Sequence, residues 1–341
     1  MSWWNNTTDP LNSSKSAQDQ VNSTCPFVDS TAERFFKLFA YCFILPGSLF
    51  GNIFIIIIVY KNRDLRKTIN YFIVNMALSD LVFSLIMLPV KITELVTDSK
   101  HWYVSGILGA ILCKLVFFAG LVSFLVSTQS LVWIAIDKFV AVVFPMKLGL
   151  ISSKIRTIAI VSTWICAGFV NFPLLISSKL VAYGNDTTCT ETNMGSFLFN
   201  KQANMTYIWL QFSLFIIAPL VVITVMYTAI AITLKLQKKV LVGTPSKAKR
   251  HVKKKRRQAI KLAVAILVLF YLCVIPNTLV YFNPYLRSSC AIQRILFFVP
   301  SLSYYSSSTV NPIICLSFVE SYRRGLRNIL CPCASRKQYA M

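Results

Sequence analysis

Residues 115–145 read LVFFAGLVSFLVSTQSLVWIAIDKFVAVVFP. No formal charge occurs from Leu115 to Ile136, and then an acid and a base, Asp137 and Lys138, stand side by side. A helix needs roughly 20 mostly apolar residues to cross a bilayer. Whether this run is a membrane span or a buried core helix depends on what surrounds it.

The surroundings favour a membrane. Of 341 residues, 55% are hydrophobic and only 14% are charged. Soluble domains carry about 25% charged residues. Seven apolar segments are candidates for spans: Phe35–Tyr60, Tyr71–Val96, Ile107–Val143, Ile155–Ile176, Ile208–Leu234, Ile260–Phe282 and Ile295–Val319. The seventh is diluted by Ser301, Ser303 and Ser306–Ser308. Backbone groups in lipid must be bonded within the segment, so helices are expected. Alternating ten-residue segments of the β-barrel kind are not seen. The predicted fold is an all-α membrane protein: a seven-transmembrane helix bundle with a short amphipathic cytoplasmic helix after the seventh span. Residues 1–34 form an extracellular tail, 35–319 the bundle, and 320–341 the amphipathic helix and cytoplasmic tail.

The net charge of +23 would suit nucleic acid, but its distribution argues against that. With residue 1 outside and the spans alternating, 25 of the 35 Lys/Arg fall inside, twelve of them in the third inner loop counting Lys261 at the start of span six. Eight of the twelve acids fall outside. This positive-inside bias sets the expected orientation, N-terminus out and C-terminus in. The run KAKRHVKKKRR (247–257) suits anionic headgroups and a cytoplasmic protein partner.

Modification sites agree with that orientation. The first 34 residues hold no apolar h-region, so no cleavable signal peptide is expected. They hold glycosylation sequons at Asn5, Asn6, Asn12 and Asn22, and Asn185 and Asn204 add two more in the loop after span four. All six fall on the predicted outer side, where glycosylation occurs. Cys25, Cys113, Cys189 and Cys290 are outside or at the outer edge, and four such cysteines pair in three ways. Cys331 and Cys333 follow the basic amphipathic stretch ESYRRGLRNIL (320–330), a setting for palmitoylation.

Some residues break the apolar rule. Asp80 lies near the middle of span two, in NMALSDLVFSLIMLP, where an ionisable group is costly. Ser127 in span three and Ser307, Ser308 and Asn311 in span seven lie at matching depth. Together they could line a site for a small hard cation such as Na⁺, which prefers oxygen ligands. The bland alternative is a protonated carboxyl bonded within the bundle. Pro89, Pro173, Pro219, Pro276 and Pro312 each fall inside a predicted span and remove a backbone hydrogen bond.

The ordered motifs carry a resemblance. They are GN (51–52), NYFIVNMALSDL (70–81), Cys113, DKF (137–139) with AVVFP (141–145), Trp164, Pro219, Tyr227, FYLCVIP (270–276) and NPIIC (311–315). In order and spacing the chain resembles a rhodopsin-like (class A) G-protein-coupled receptor, and TINYFIVNMALSD (68–80) resembles the neuropeptide-type members. The resemblance covers about residues 35–333.

It implies several roles. Cys113 would join Cys189, leaving Cys25 and Cys290 as the remaining outer pair. DKF stands in the place of the family's D-R-Y, so Asp137 would hold Lys138 at rest and Lys138 would turn toward the G protein and Tyr227 on activation. Phe270, Val274, Pro276, Pro312 and Cys315 would belong to the activation machinery. Trp102 matches a packing residue of the first outer loop. Three positions depart from the pattern: Lys138 replaces arginine and loses its planar fork, Val274 replaces tryptophan, and Cys315 replaces the tyrosine of N-P-x-x-Y. Arg256 is basic where some members carry an acid. An altered resting balance or weakened coupling is therefore expected.

The outer third of the bundle would take the ligand. Gly120 stands where amine receptors carry an aspartate, and Tyr305 where opsins carry their lysine. Lys91 and Glu94 share one helical face, and Gln211, Asn277, Tyr281 and Tyr305 would join them. This mixed lining suits a peptide with a polar or charged end, and Lys91 alone would suit a lipid or small carboxylic acid. Expected partners are an extracellular peptide, a heterotrimeric G protein, arrestin and membrane lipids, with no nucleic acid. No cofactor is required, with Na⁺ as an allosteric ion. A scavenging receptor that activates no G protein is the alternative, and a transporter using Asp80 a poorer one. An enzyme is not expected: the two histidines, His101 and His251, fall in loops, and no H-E-x-x-H, G-x-S-x-G or phosphate-loop pattern occurs.

Overall fold

The computed structural model describes residues 30–144, 152–183, 186–191, 201–240, 264–265, 268–269, 271–276, 279 and 290–331. The calls on Asn5, Asn6, Asn12, Asn22, Cys25, Asn185, residues 247–257, Phe270, Asn277, Tyr281 and Cys333 lie outside these residues.

The first span is the helix Thr31–Lys61. Its start is a reciprocal cap: Glu33 N–H donates to Ser30 Oγ at 3.3 Å, and Ser30 N–H to Glu33 Oε2 at 2.9 Å, satisfying two otherwise orphan donors. It stops at Asn62, whose N–H and Nδ2 both donate to Ile58 O. A short 3₁₀ turn, Arg63–Leu65, leads to the second span, Thr68–Thr97. That helix ends at Asp98 in the left-handed region, φ 52°. The third span, Gly106–Val143, is 38 residues long, and the fourth is Ser153–Asn171. The fifth runs as Lys201–Phe212, a π turn Ser213–Ile217, and Ala218–Val240. Residues 271–276 are helical within the sixth candidate. Cys290–Phe318 is the seventh, followed by the C-terminal helix Glu320–Leu330.

Among the described residues, five helices are long and apolar enough to cross a membrane: Thr31–Lys61, Thr68–Thr97, Gly106–Val143, Ser153–Asn171 and Trp209–Thr233. Their outer faces carry exposed large apolar side chains such as Phe35, Phe43, Phe50, Ile158, Ile165 and Phe169. In water such a surface would be unfavourable; in a bilayer lipid covers it.

Span three is the hub. It packs against spans two, four and five, and span one packs against two and seven. The apolar core joins Ile55, Ile58, Phe72, Met76, Leu131, Ile134, Val274, Ile314 and Cys315. Span seven approaches span one closely at Gly51, where a Cβ would lie 2.8 Å from both Cβ and Cγ of Pro312. Polar ties join spans one and seven and spans two and four. Asn52 Nδ2 donates to Ser308 O at 2.9 Å, and Trp164 Nε1 donates to Asn75 Oδ1 at 2.9 Å. In lipid there is no hydrophobic drive between helices, so such bonds and close packing hold the bundle.

Three expectations change here. Two strands, β1 (Ser178–Tyr183) and β2 (Asp186–Glu191), form an antiparallel hairpin between spans four and five, an addition to the all-helical reading. Pro173 does not sit inside the fourth helix. That helix ends at Asn171, and Pro173 opens a separate turn, Leu174–Ser177, because proline has no N–H to continue the ladder. Asn204 falls on the helix Lys201–Phe212 rather than in a loop. Pro46 and Pro300 also lie inside helices, where the sequence reading did not single them out.

Candidate functional site

Asp80 is 5% exposed at the centre of span two. Ser127 Oγ donates to its Oδ1 at 3.0 Å, and Asn311 Nδ2 to its Oδ2 at 2.9 Å. Spans two, three and seven thus meet at one carboxyl. Asn311 Oδ1 is buried and has no hydrogen-bond partner. The same holds for Ser123 Oγ, one turn from Ser127 on the same face of span three. A carboxylate whose amide partner keeps an unused buried oxygen fits a small hard cation, since an orphan acceptor is otherwise costly.

The two serines expected beside Asp80 do something else. Ser307 Oγ donates to Tyr304 O at 2.7 Å, and Ser308 Oγ to Tyr305 O at 3.1 Å. Helical serines commonly return their hydroxyl to the preceding turn. Ser308 also accepts from Ser84 Oγ at 3.1 Å, and Ser84 meets Ser48 at 2.6 Å. Ser308 therefore belongs to a separate polar knot with spans one and two.

Near the C-terminal end of span two, Lys91 Nζ reaches Glu94 Oε2 at 2.8 Å. Each side chain is about a third exposed, 30% and 31%, so the pair remains open to solvent or ligand. Glu94 lies within electrostatic range of Tyr41 and Tyr305. Tyr41 is fully buried, meets Ser301 Oγ at 3.1 Å, and packs edge-on against Tyr305 with centroids 5.4 Å apart. Phe83, Phe124 and Tyr304 extend this aromatic layer. Tyr41 and Phe83 were not singled out from the sequence, and Ser301 was noted only as diluting span seven, because nothing in an apolar run marks which face looks inward.

Two pocket candidates are already engaged. Gly120 is buried, and a Cβ there would lie 2.6 Å from Met87 Sδ. It gives room to Met87 rather than to open space. Gln211 Nε2 donates to Tyr207 OH at 2.6 Å and to Asn171 Oδ1 at 3.1 Å. Tyr207 in turn donates to Val170 O at 2.6 Å. This clamp joins spans four and five just above the π turn.

A disulfide joins Cys113 at the head of span three to Cys189 in β2, with Cα atoms 5.6 Å apart. Two further ties hold the hairpin. Trp102 N–H donates to Thr187 O at 2.6 Å, which pairs His101 with Thr188, and Thr187 N–H donates to His101 Nδ1 at 3.3 Å. The Trp102 indole Nε1 is buried without a partner.

At the other end, Lys138 Nζ lies 3.4 Å from Asp137 Oδ2. Side chains adjacent in a helix do not face each other, so the lysine must fold back, and the contact is long. The two side chains are 14% and 17% exposed. Tyr227 and Lys67 lie within electrostatic range, Tyr227 of Asp137 and Lys67 of Lys138. Val274 and Cys315 are buried in the core, Pro276 half-buried and Pro312 buried. Cys331 is an exposed free thiol directly after the C-terminal helix Glu320–Leu330.

Comparisons with known proteins agree with this arrangement. The chain is 29% identical over 300 residues to a QRFP-like peptide receptor of Branchiostoma floridae, covering 85% of this chain and 76% of the relative. It is 26% identical over 328 residues to a neuromedin-K receptor of Mus musculus, covering 95% and 70%. A neuropeptide FF receptor 2 of Mus musculus is 26% identical over 316 residues, covering 87% and 73%. The family described as 7 transmembrane receptor (rhodopsin family) matches residues 51–314, which include Asp80, the DKF pair, the disulfide and Asn311. The peptide receptors just named are what the chain is similar to, and by its family match the chain belongs to the rhodopsin family of seven-transmembrane receptors.

Proposed function

We propose that this chain is a plasma-membrane receptor that binds an extracellular peptide and activates heterotrimeric G proteins. The observation that carries the ligand class is the open Lys91–Glu94 pair above the Tyr41–Tyr305 layer. It offers an anion-binding and a cation-binding group side by side over an aromatic floor, which suits a peptide end better than a lone ammonium or a chromophore. The relatives' names, peptide receptors all, support the same reading. Asp80, Ser127 and Asn311 form the cation site in this proposal, with Na⁺ as an allosteric ion.

Orientation follows from two supports. The positive-inside bias puts the N-terminus outside, and a disulfide at the head of span three belongs in an oxidising compartment. On this reading Cys331 is cytoplasmic and a palmitoylation site, and the Arg-bearing helix Glu320–Leu330 rests on lipid headgroups. Arrestin would share the cytoplasmic face.

The direct test is nucleotide exchange on a panel of G proteins, in membranes with this chain or a Lys138→Ala variant, without ligand and with a peptide library. Peptide-dependent exchange that Lys138→Ala abolishes is the expected result. Surface expression and peptide binding without exchange would overturn G-protein activation and favour a scavenging receptor, which Lys138, Val274 and Cys315 already motivate. Binding of a lipid or small carboxylic acid in place of peptides would overturn the ligand class.

A further inference from the structure

Cys315 leaves the inner end of span seven without a phenol hydroxyl, yet a buried one lies just beyond it. Tyr322, on the cytoplasmic helix, is 1% exposed. Its OH donates to Asn70 Oδ1 at 3.0 Å. Asn70 opens span two, and its Nδ2 donates to Leu65 O at 2.6 Å in the first inner turn. One chain of hydrogen bonds therefore runs from the cytoplasmic helix through span two to the loop between spans one and two.

The packing around it leaves little slack. The Tyr322 ring belongs to the same apolar core as Ile58 and Cys315. Gly325, on the same face of the helix, backs onto span one so closely that a Cβ would lie 2.6 Å from Ile58 Cγ2. A buried hydroxyl without an acceptor would be costly, so the ring cannot stay in this core and abandon Asn70 without penalty. Burial also pushes the phenol well above its ordinary pKa, which keeps it a donor. Only Val319 separates the seventh helix from the cytoplasmic helix, and Val319 N–H bonds back to Cys315 O at 3.2 Å. Movement of one therefore carries the other.

We propose that the Tyr322–Asn70 hydrogen bond is a resting-state latch, a positioning contact that pins the inner end of span seven to span two and limits ligand-independent activation. It rests on the reading of this chain as a G-protein-activating receptor. It also accounts for how a chain with cysteine at position 315 holds its seventh span: the hydroxyl acts from the next helix.

The test uses the full chain in nanodiscs with Tyr322→Phe, Asn70→Ala and the double variant. Tyr322→Phe keeps the ring and the packing and removes only the donor. Hydrogen–deuterium exchange across 320–330 reads the latch without any G protein, and basal nucleotide exchange reads its consequence. Loss of one buried hydrogen bond predicts about a fivefold rise in both for Tyr322→Phe. The double variant should add little to the single ones, since both remove one contact. Unchanged protection of 320–330 would overturn the latch. Loosened protection with wild-type basal activity, in a chain whose stimulated activity is intact, would overturn its control of activation. Additive effects in the double variant would show that the two residues act apart, and would overturn it too. A wild-type chain that activates no G protein under any ligand would refute the receptor reading, while the protection data would still decide the latch.

Discussion

Asn311 Nδ2 donates to Asp80 Oδ2 at 2.9 Å across 231 residues of sequence, leaving its own Oδ1 buried and unpaired. A cation held between that oxygen and the carboxylate would be lost with the charge. Sodium should therefore weaken agonist binding to the wild type, and Asp80→Asn should remove the effect at unchanged surface expression. The measurement is competition binding in sodium chloride against N-methylglucamine chloride at equal ionic strength. Equal affinities in the two salts for the wild type would mean that Asp80 is a protonated structural group.

Two glycines separate tight packing from tolerant packing. At Gly51 a Cβ would meet Cβ and Cγ of Pro312 at 2.8 Å, and a proline ring cannot turn aside. Gly51→Ala should cost about 1–3 kcal/mol, read as a lower melting temperature of the solubilised receptor. At Gly120 the obstacle is Met87 Sδ, the end of a flexible side chain. Gly120→Ala should cost clearly less. Equal losses would mean that span three cannot yield at Met87.

The spans were legible because lipid demands long uncharged runs, which are a one-dimensional signal. Asp80 was legible because a charge inside such a run has no innocent solvent. The side-chain partners were less so. Depth alone grouped Ser307 and Ser308 with Asp80, but depth does not say which way a hydroxyl turns, and both bond to their own helix. The hairpin carries a Gly-Asn pair at 184–185 between two strand-length runs, a recognisable turn signal that the helical frame overrode. Tyr322 and Asn70 are 252 residues apart. Nothing local in either segment announces the other.

Lys138 meets Asp137 at 3.4 Å through a point charge. Arginine would present a planar fork to the same carboxylate. Lys138→Arg should change both basal and stimulated nucleotide exchange by severalfold, with the stimulated rate rising. Unchanged signalling would sink the claim that this departure from the family pattern matters.

The Cys113–Cys189 bridge closes a separation of 76 residues. Closing a loop of this size stabilises by about 2–5 kcal/mol. Cys113→Ser and Cys189→Ser should therefore lower thermal stability and surface expression equally. The backbone ties at Trp102 and His101 would remain but cannot replace a covalent link. A single variant that behaves like wild type would show that the hairpin is held by those ties instead.

His101 Nδ1 meets two partners on the hairpin. Thr187 N–H donates to it at 3.3 Å, and Asp186 Oδ1 lies 3.2 Å away. The Tyr103 ring meets the imidazole edge-on at 4.8 Å. A backbone N–H that loses its acceptor costs stability locally and opens to water. His101→Ala should therefore speed amide exchange at Thr187. The Trp102 amide, which donates to Thr187 O, should stay protected. Thr187 protection unchanged by His101→Ala would mean that the hairpin amide is held by another acceptor.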